Sequence, residues 1–415
     1  MSADRTIIGW DIGGAHVKAA VLRNGRLESV RQWPCALWQG MHLLDAVIDE
    51  ALAAWPWAKG DLPGGAHHAL TMTGEMVDLF DNRKEGVIRL TAHLGKRLGP
   101  SLHLFAGSGD WISVQQAADR WGELASANWA ATGSLVAARS AARSAALSAA
   151  RSAAGSAARF AVHSAGEAED PATGCAEPVI LVDIGSTTTD IIALNGAGTA
   201  AEDTQVAPLT TSGSGSDAQR LRSGELLYQG VVRTPLCALA RRIEFRGQHY
   251  NVMNEFFATT ADVYRLTGEL DPAHDQHPAA DGGSKDFDGT NRRIARMIGH
   301  DAADAGLKDW QRFAHEWRTQ QLAILQAELQ RVEGAAPQPR QPKQKPHRPP
   351  TLVGAGCGSF LVRALAQTMR RDYTAFHELI DAPAELQRWA DVCAPAVAVA
   401  FLLEQQSSPP GSPAT

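Results

Sequence analysis

Apolar residues near the start of the chain fall in short runs, at Ile7 to Trp10, Val17 to Leu22 and Leu27 to Val30, with polar residues between them. Runs of this length, rich in β-branched residues and bounded by turn formers, predict three strands. Asn24-Gly25 joins the last two, and because that pair readily takes positive φ it predicts a tight hairpin. From Met41 to about Ala54, and again from about Glu85 to Leu98, the apolar spacing becomes helical. Ala69 to Met72 and Leu102 to Phe105 predict further strands. Strands alternating with helices, opening on an antiparallel group, predict an α/β fold with mixed sheets.

Two stretches break the pattern. From Val136 to about Gly174 an R-S-A-A repeat places arginine at Arg139, Arg143, Arg151 and Arg159. A four-residue period drifts around a 3.6-residue helix, so no apolar stripe deeper than alanine forms, and a solvated helix or partly disordered spacer is expected. Ala335 to Pro350 is proline-rich and basic, which predicts an extended loop. The expected organisation is a first subdomain over 1–135, an insertion over 136–177, a second subdomain over 178–406 containing the 335–350 loop, and a frayed tail over 407–415.

A length of 415 residues suits two or three cores of ordinary size. With 39 basic against 45 acidic side chains the net charge is −6, which argues against nucleic acid or an anionic membrane as partner. The five cysteines are scattered and form no C-x-x-C pair, so neither a disulfide framework nor a thiolate zinc site is expected. The start of the chain lacks the basic and apolar regions of a secretion signal, and no run approaches the ~20 apolar residues that span a bilayer. The cytoplasm is the expected location; a homo-oligomer is left open.

The most informative pattern is an internal echo. Ile8 to Gly25 reads IGWDIGGAHVKAAVLRNG, and Leu181 to Gly196 reads LVDIGSTTTDIIALNG. At one offset Asp11 falls on Asp183, Gly13 on Gly185, Gly14 on Ser186 and Lys18 on Asp190. Each copy predicts a strand ending in aspartate, a turn, and a returning strand. Glycine in such a turn lets successive backbone N–H groups approach one anion, and a carboxylate at the strand end can hold a divalent cation directly or through water. Two such turns face to face would clamp a phosphorylated ligand. Gly13, Gly14, Gly185, Ser186, Thr187 and Thr188 are the expected donors, and Asp11 and Asp183 the expected Mg2+ ligands. Strand alternation aims Lys18 either into the cleft or out to solvent; the cleft is favoured.

A third glycine cluster, Gly354-Ala355-Gly356-Cys357-Gly358, follows a short strand and precedes a helical stretch from Ser359. A dinucleotide fingerprint would need glycine where Ser359 stands, so a nucleotide-contacting turn built from Gly354, Gly356 and Gly358 is the expectation.

Two D-x-G hairpins and a late glycine turn resemble the actin, sugar kinase and Hsp70 superfamily, which implies two related RNase H-like subdomains around a cleft. Thr73-Gly74-Glu75, followed by Asp78, Phe80 and Glu85-Gly86, is similar to the hydantoinase A and oxoprolinase branch. The opening GWDIGGAHVKAA, GVVRTPLCAL from Gly230, NEFFATTADVYRLTGEL from Asn254 and NRRIARMIGHD from Asn291 resemble the tetrahydromethanopterin-linked C1 transfer pathway proteins. That resemblance implies a transferase joining an aminomethylfuran-methyl diphosphate to the phenolic oxygen of a tyrosine- or tyramine-type acceptor, with diphosphate released and no ATP consumed. The long R-S-A-A insertion departs from the archaeal pattern.

For this chemistry Lys18 would neutralise the leaving group. Glu75, Asp78 and, as a second choice, Asp262 are candidates to accept the phenol proton, whose ordinary pKa is about 10. Carboxylates placed like Glu75 and Asp78 equally suit helix capping. Arg292 and Arg296 share a helix face and could meet an anionic group or simply solvent. The rival reading is an ATP-dependent kinase or hydantoinase-type hydrolase, with ATP seated on the Gly354 to Gly358 turn. A switch module of the Hsp70 kind has less to recommend it, since no peptide-binding domain is visible.

Overall fold

A computed structural model describes residues 5–55, 65–159, 178–194, 215–336 and 349–407. Most of the proline-rich segment, the end of the R-S-A-A insertion and the tail from residue 408 lie outside these residues, as does Cys175. The four described cysteines, Cys35, Cys237, Cys357 and Cys393, are free thiols.

The first sheet is built from β1 (Thr6–Ile12), β2 (His16–Arg23), β3 (Arg26–Pro34), β4 (His67–Met72), β5 (Leu102–Phe105) and β6 (Trp111–Ile112), in the order β3-β2-β1-β4-β5-β6. β1, β2 and β3 run antiparallel, whereas β4 and β5 continue parallel to β1. Asn24 and Gly25 close the β2–β3 hairpin at φ 49° and 76°, the left-handed pair that the sequence predicts. The second sheet comprises β7 (Val179–Ile184), β8 (Thr189–Leu194), β9 (Leu226–Leu227), β12 (Thr351–Ala355) and β13 (Tyr373–Ala375). Its order, β13-β12-β7-β8-β9, repeats that of the first sheet: β7 pairs antiparallel with β8 and parallel with β12. A separate hairpin, β10 (Arg242–Phe245) with β11 (Gln248–Asn251), belongs to the long excursion between β9 and β12. The architecture is α/β, two mixed sheets flanked by helices.

Alternation along the strands explains the layers. Ile8, Trp10 and Ile12 of β1, with Val17, Ala19 and Val21 of β2, bury one face of the first sheet beneath the helices Met41–Ala54 and Arg83–Leu98. Ile180, Val182 and Ile184 of β7 do the same in the second half, under the helices Thr260–Thr267 and Leu307–Ala335. The opposite faces, including Ile7, Ala20, Leu181 and Ile192, meet in a shared central layer.

Two helices supply that layer. Asn128–Arg159 packs on β7 and β8, and Ala394–Ser407 returns to lie on β1, β2 and β4. The first of these runs through the expected insertion boundary: Trp129, Leu135 and Val136 are buried, the first residues of the R-S-A-A repeat, Arg139 and Ser140, are half-buried, and exposed positions begin at Ala142. The first half of the second, Ala394 to Ala400, is all small and apolar, which brings its backbone close to the sheet. A Cβ on Gly9 would stand 1.9 Å from the Ala396 carbonyl oxygen. Gly9→Ala is therefore expected to lower the unfolding free energy by about 2 kcal/mol through overpacking. The check is the urea midpoint, and an unchanged value would show that the helix does not press on this strand.

Candidate functional site

The two echoed hairpins have the same construction. In the first, Gly13 N–H donates to the His16 carbonyl at 2.9 Å; in the second, Gly185 N–H donates to the Thr188 carbonyl at 2.8 Å. Asp11 faces Lys18 across the first ladder, and Asp183 faces Asp190 across the second. Both turns line one cavity of about 510 Å³ between the halves, to which Gly13, Gly14, Gly185, Ser186, Thr187 and Thr188 all contribute. Asp11, Lys18, Asp78 and Asp190 line it too.

The cavity floor is acidic and short of positive charge. Asp11 is 3% exposed; its Oδ2 lies 3.4 Å from Lys18 Nζ, while Oδ1 has no hydrogen-bond partner. Burial pushes the Asp11 carboxyl above its ordinary value against the pull of Lys18. Burial alone would favour the neutral amine of Lys18, but the fields of Asp11 and then of its other neighbours, Asp183 included, outweigh it and raise its pKa. Lys18 thus points into the cleft and bears on both aspartates. Asp183 is not among the residues that line the cavity; it lies beside Gly356, where burial pushes it up to about 7 and Asp190, Asp11 and Asp391 reinforce the shift. Asp190 is also raised by burial, although Arg220, whose guanidinium sits 4.3 Å from the Trp129 ring centroid, is its ion-pair partner.

The remaining expected residues are distributed differently. Asp78 is exposed at the cavity wall. Glu75 lies behind it, buried, its Oε1 accepting from Ser126 Oγ at 2.8 Å and Arg83 Nη2 at 3.2 Å. Burial raises the Glu75 carboxyl. Ser126 Oγ is also 3.0 Å from Asp217 Oδ2, so this network ties the first half to the second at the cleft. Asp262 is not brought to the cavity. Its Oδ2 accepts the Thr259 N–H in a capping box, and its Oδ1 holds Arg265 and Arg293 at 2.7 and 2.8 Å, leaving it a structural hub and not a base. Arg292 and Arg296 face solvent, while Arg293 between them is fully buried.

Gly354, Gly356 and Gly358 do not line the cavity. Gly356 has φ +80°, and a Cβ there would meet the Ile184 carbonyl oxygen at 2.2 Å and Asp183 Oδ1 at 2.5 Å. Gly358 N–H donates to the same carbonyl at 2.8 Å. In this structure the third glycine turn buttresses the second hairpin.

Several cavity residues carry no strong mark in the sequence. Arg233, Trp38, Tyr228, Ser126 and Asp217 are isolated residues that only folding brings together, although Arg233 lies within the GVVRTPLCAL block. His16 follows the first turn directly. It is buried, with Nε2 unpartnered, and meets the ring of His277 edge-on at 4.6 Å. Burial first, then His277, Lys18 and Arg233, hold it well below the usual imidazole range, so it is neutral at pH 7.

A model of the hydantoinase/oxoprolinase family matches residues 152–405, more than half of the sequence. The chain belongs to the hydantoinase/oxoprolinase family. Within this family setting it is 27% identical over 292 residues to the (4-{4-[2-(gamma-L-glutamylamino)ethyl]phenoxymethyl}furan-2-yl)methanamine synthase of Methanocaldococcus jannaschii, covering 70% of this chain and 71% of that protein. To the synthase of the same name from Methanococcus vannielii it is 34% identical over 119 residues, 29% of this chain and 48% of that one. Among solved structures, nucleotide-free acetone carboxylase is similar at TM-score 0.48 and 11% identity, covering 96% of this chain and 70% of that chain. A glucokinase of the ROK family from Streptomyces griseus is similar at TM-score 0.39 and 14% identity, covering 96% and 99%. At these scores the structural likeness carries no functional weight. Among the described residues no helix is long and apolar enough to cross a membrane.

The imidazole pair sets a pH dependence. His277 is pushed down to about 4 by burial, then by Arg233 and Lys285. The unfolded chain takes up this proton near 6.5 and the folded chain only near 4. The stability His277 contributes is therefore present above pH 6.5 and lost as the pH falls toward 4. His277→Gln should flatten that loss in urea unfolding measured at pH 7, 5.5 and 4; parallel curves for wild type and variant would contradict it.

Proposed function

We propose that this chain is a synthase of methanofuran-type cofactor assembly, joining an aminomethylfuran-methyl diphosphate to the phenolic oxygen of a tyrosine- or tyramine-type acceptor and releasing diphosphate. The observation that carries the reading is the pair of aspartate-tipped hairpin turns opening on one cavity. The likeness to the archaeal synthase extends over 70% of the chain.

In this scheme the bond from the furan methylene to the phosphate oxygen breaks, and its electron pair leaves with diphosphate. The furan ring stabilises the positive charge left on the methylene, which the phenolic oxygen then captures. The Gly13 and Gly185 N–H groups are spent on closing their own turns, so the backbone N–H groups of Gly14 and Ser186 and the Lys18 ammonium take up the charge of the leaving group. Asp78, the exposed carboxylate of the cavity wall, accepts the phenol proton; Glu75, bound to Ser126 and Arg83, positions that wall.

A divalent cation suits the donors present. The Asp11 Oδ1 is buried without a partner, and the elevated carboxyl of Asp183 marks a place where added positive charge would be favourable. Among the described residues no three ligating side chains converge, a pattern compatible with Mg2+ held by one or two carboxylates and completed by water and substrate phosphate. When bound, Mg2+ would neutralise charge on the diphosphate. In the turn on which the ATP-dependent alternative leans, Gly356 and Gly358 pack against Ile184 and Gly354 against Tyr373, and none of the three lines the cavity, which supports the reading without ATP.

Purified protein with the furan diphosphate, a tyrosine-type phenol and Mg2+ should yield the ether by mass spectrometry, with diphosphate released and no ATP required. ADP formation coupled to substrate would support the kinase or hydrolase reading instead. Asp11→Asn and Asp183→Asn should each lower kcat by about 100-fold or more with the circular dichroism spectrum unchanged. Full turnover by either variant would remove its assigned role.

A further inference from the structure

Three side chains that carry fixed positive charge line the cavity, and two are neutralised by the chain itself: Lys18 by Asp11 and Arg220 by Asp190. The third, Arg233, has no carboxylate partner and no side-chain hydrogen bond among the described residues. Its guanidinium carbon lies 5.4 Å from the centroid of the Trp38 ring. Half-buried against that ring, the charge loses hydration without gaining a counter-charge, and burial pulls its pKa down accordingly. A desolvated, uncompensated cation on the wall of a cavity is a binding group for an anion.

Its placement is fixed from both sides of the cleft. Val231 N–H donates to the Gly185 carbonyl at 3.1 Å, and Val232 and Arg233 N–H donate to the Ser186 carbonyl at 3.1 and 2.8 Å. Gly230 lies so close to this turn that a Cβ would stand 2.4 Å from the Ser186 carbonyl carbon. The backbone of Arg233 therefore belongs to the second turn. Its side chain rests on Trp38 of the first half, whose neighbour Leu37 donates its N–H to the Gly14 carbonyl at 3.1 Å. The guanidinium thus spans the gap from one turn to the other. His16 and His277, held neutral beside it, bring no competing positive charge.

We propose that Arg233, held against the Trp38 ring, is the oxyanion-binding residue of this cavity and pairs with a phosphoryl or carboxylate group of the bound substrate. The assignment rests on the cavity being the substrate site of the proposed synthase. Two substrates offer such an oxyanion: the diphosphate of the furan donor and the carboxylate of a tyrosine-type acceptor.

Calorimetric titration of inorganic pyrophosphate with Mg2+, of L-tyrosine and of tyramine into wild type, Arg233→Gln and Arg233→Lys tests the assignment. In Arg233→Gln the Kd of pyrophosphate should rise by about tenfold or more, with partial recovery in Arg233→Lys, which keeps the charge and loses the planar fork. If pyrophosphate binding holds and L-tyrosine alone weakens while tyramine does not, the oxyanion is the acceptor carboxylate and the assignment stands. Unchanged affinity for all three probes, or no binding of any to wild type, overturns it. Should Arg233→Gln fail to fold, the loss expected of Arg233→Lys, about threefold, decides alone. Ether formation by wild type is scored separately. Arg233-dependent pyrophosphate binding without ether product would refute the synthase and leave this binding role intact.

Discussion

The cavity depends on one partly buried ammonium set among several carboxylates. Lys18 makes its ion pair with Asp11, feels Asp183 from the other half, and also bears on Asp190. Carboxylates taken from water need a partner or a proton, and a single lysine cannot serve them all. Its remaining close neighbours give no help. The thiols of Cys357 and Cys393 are pushed up to about 12 by burial and remain uncharged at neutral pH. The result is a floor whose aspartates hold protons more readily than usual, and where added positive charge is stabilising.

That floor exists only because two halves are held at close range. The helices Asn128–Arg159 and Ala394–Ser407 form a layer common to both sheets, and its small residues bring backbone against backbone at Gly9. Around the cleft, polar contacts repeat the connection. Ser126 links Glu75 to Asp217, Gln32 donates to Gln276 at 3.1 Å, and His16 packs on His277. The cavity is therefore walled by residues with little freedom to separate independently. Its turns keep the relative placement that joint contact with one ligand demands.

Much of this was readable before folding. Period-two alternation and the Asn24-Gly25 pair place the opening strands, and the echo of Asp11 in Asp183 announces two hairpins of one design, because such features depend on neighbours in the chain. The same local reading predicts a helix from Met41 to about Ala54, another from about Glu85 to Leu98, which begins at Arg83, and the strand Leu102–Phe105. Where it fell short, the deciding partner was distant in sequence. Asp262 carries the residue type of a base, yet Arg293 and the Thr259 amide occupy its oxygens. Gly354 to Gly358 has the composition of a ligand turn, yet Ile184 lies against it.

The chain by itself thus determined the duplicated hairpin, its strand pattern and the acidic and glycine chemistry of the turns. These are properties of spacing along a backbone. Tertiary structure alone decided that Lys18 points inward, that Glu75 meets Asp217 through Ser126, and that Arg233 lies across to Trp38 with no counterion among the described residues. Charge compensation is settled by which side chains share a volume of excluded water, and sequence separation carries no information about that.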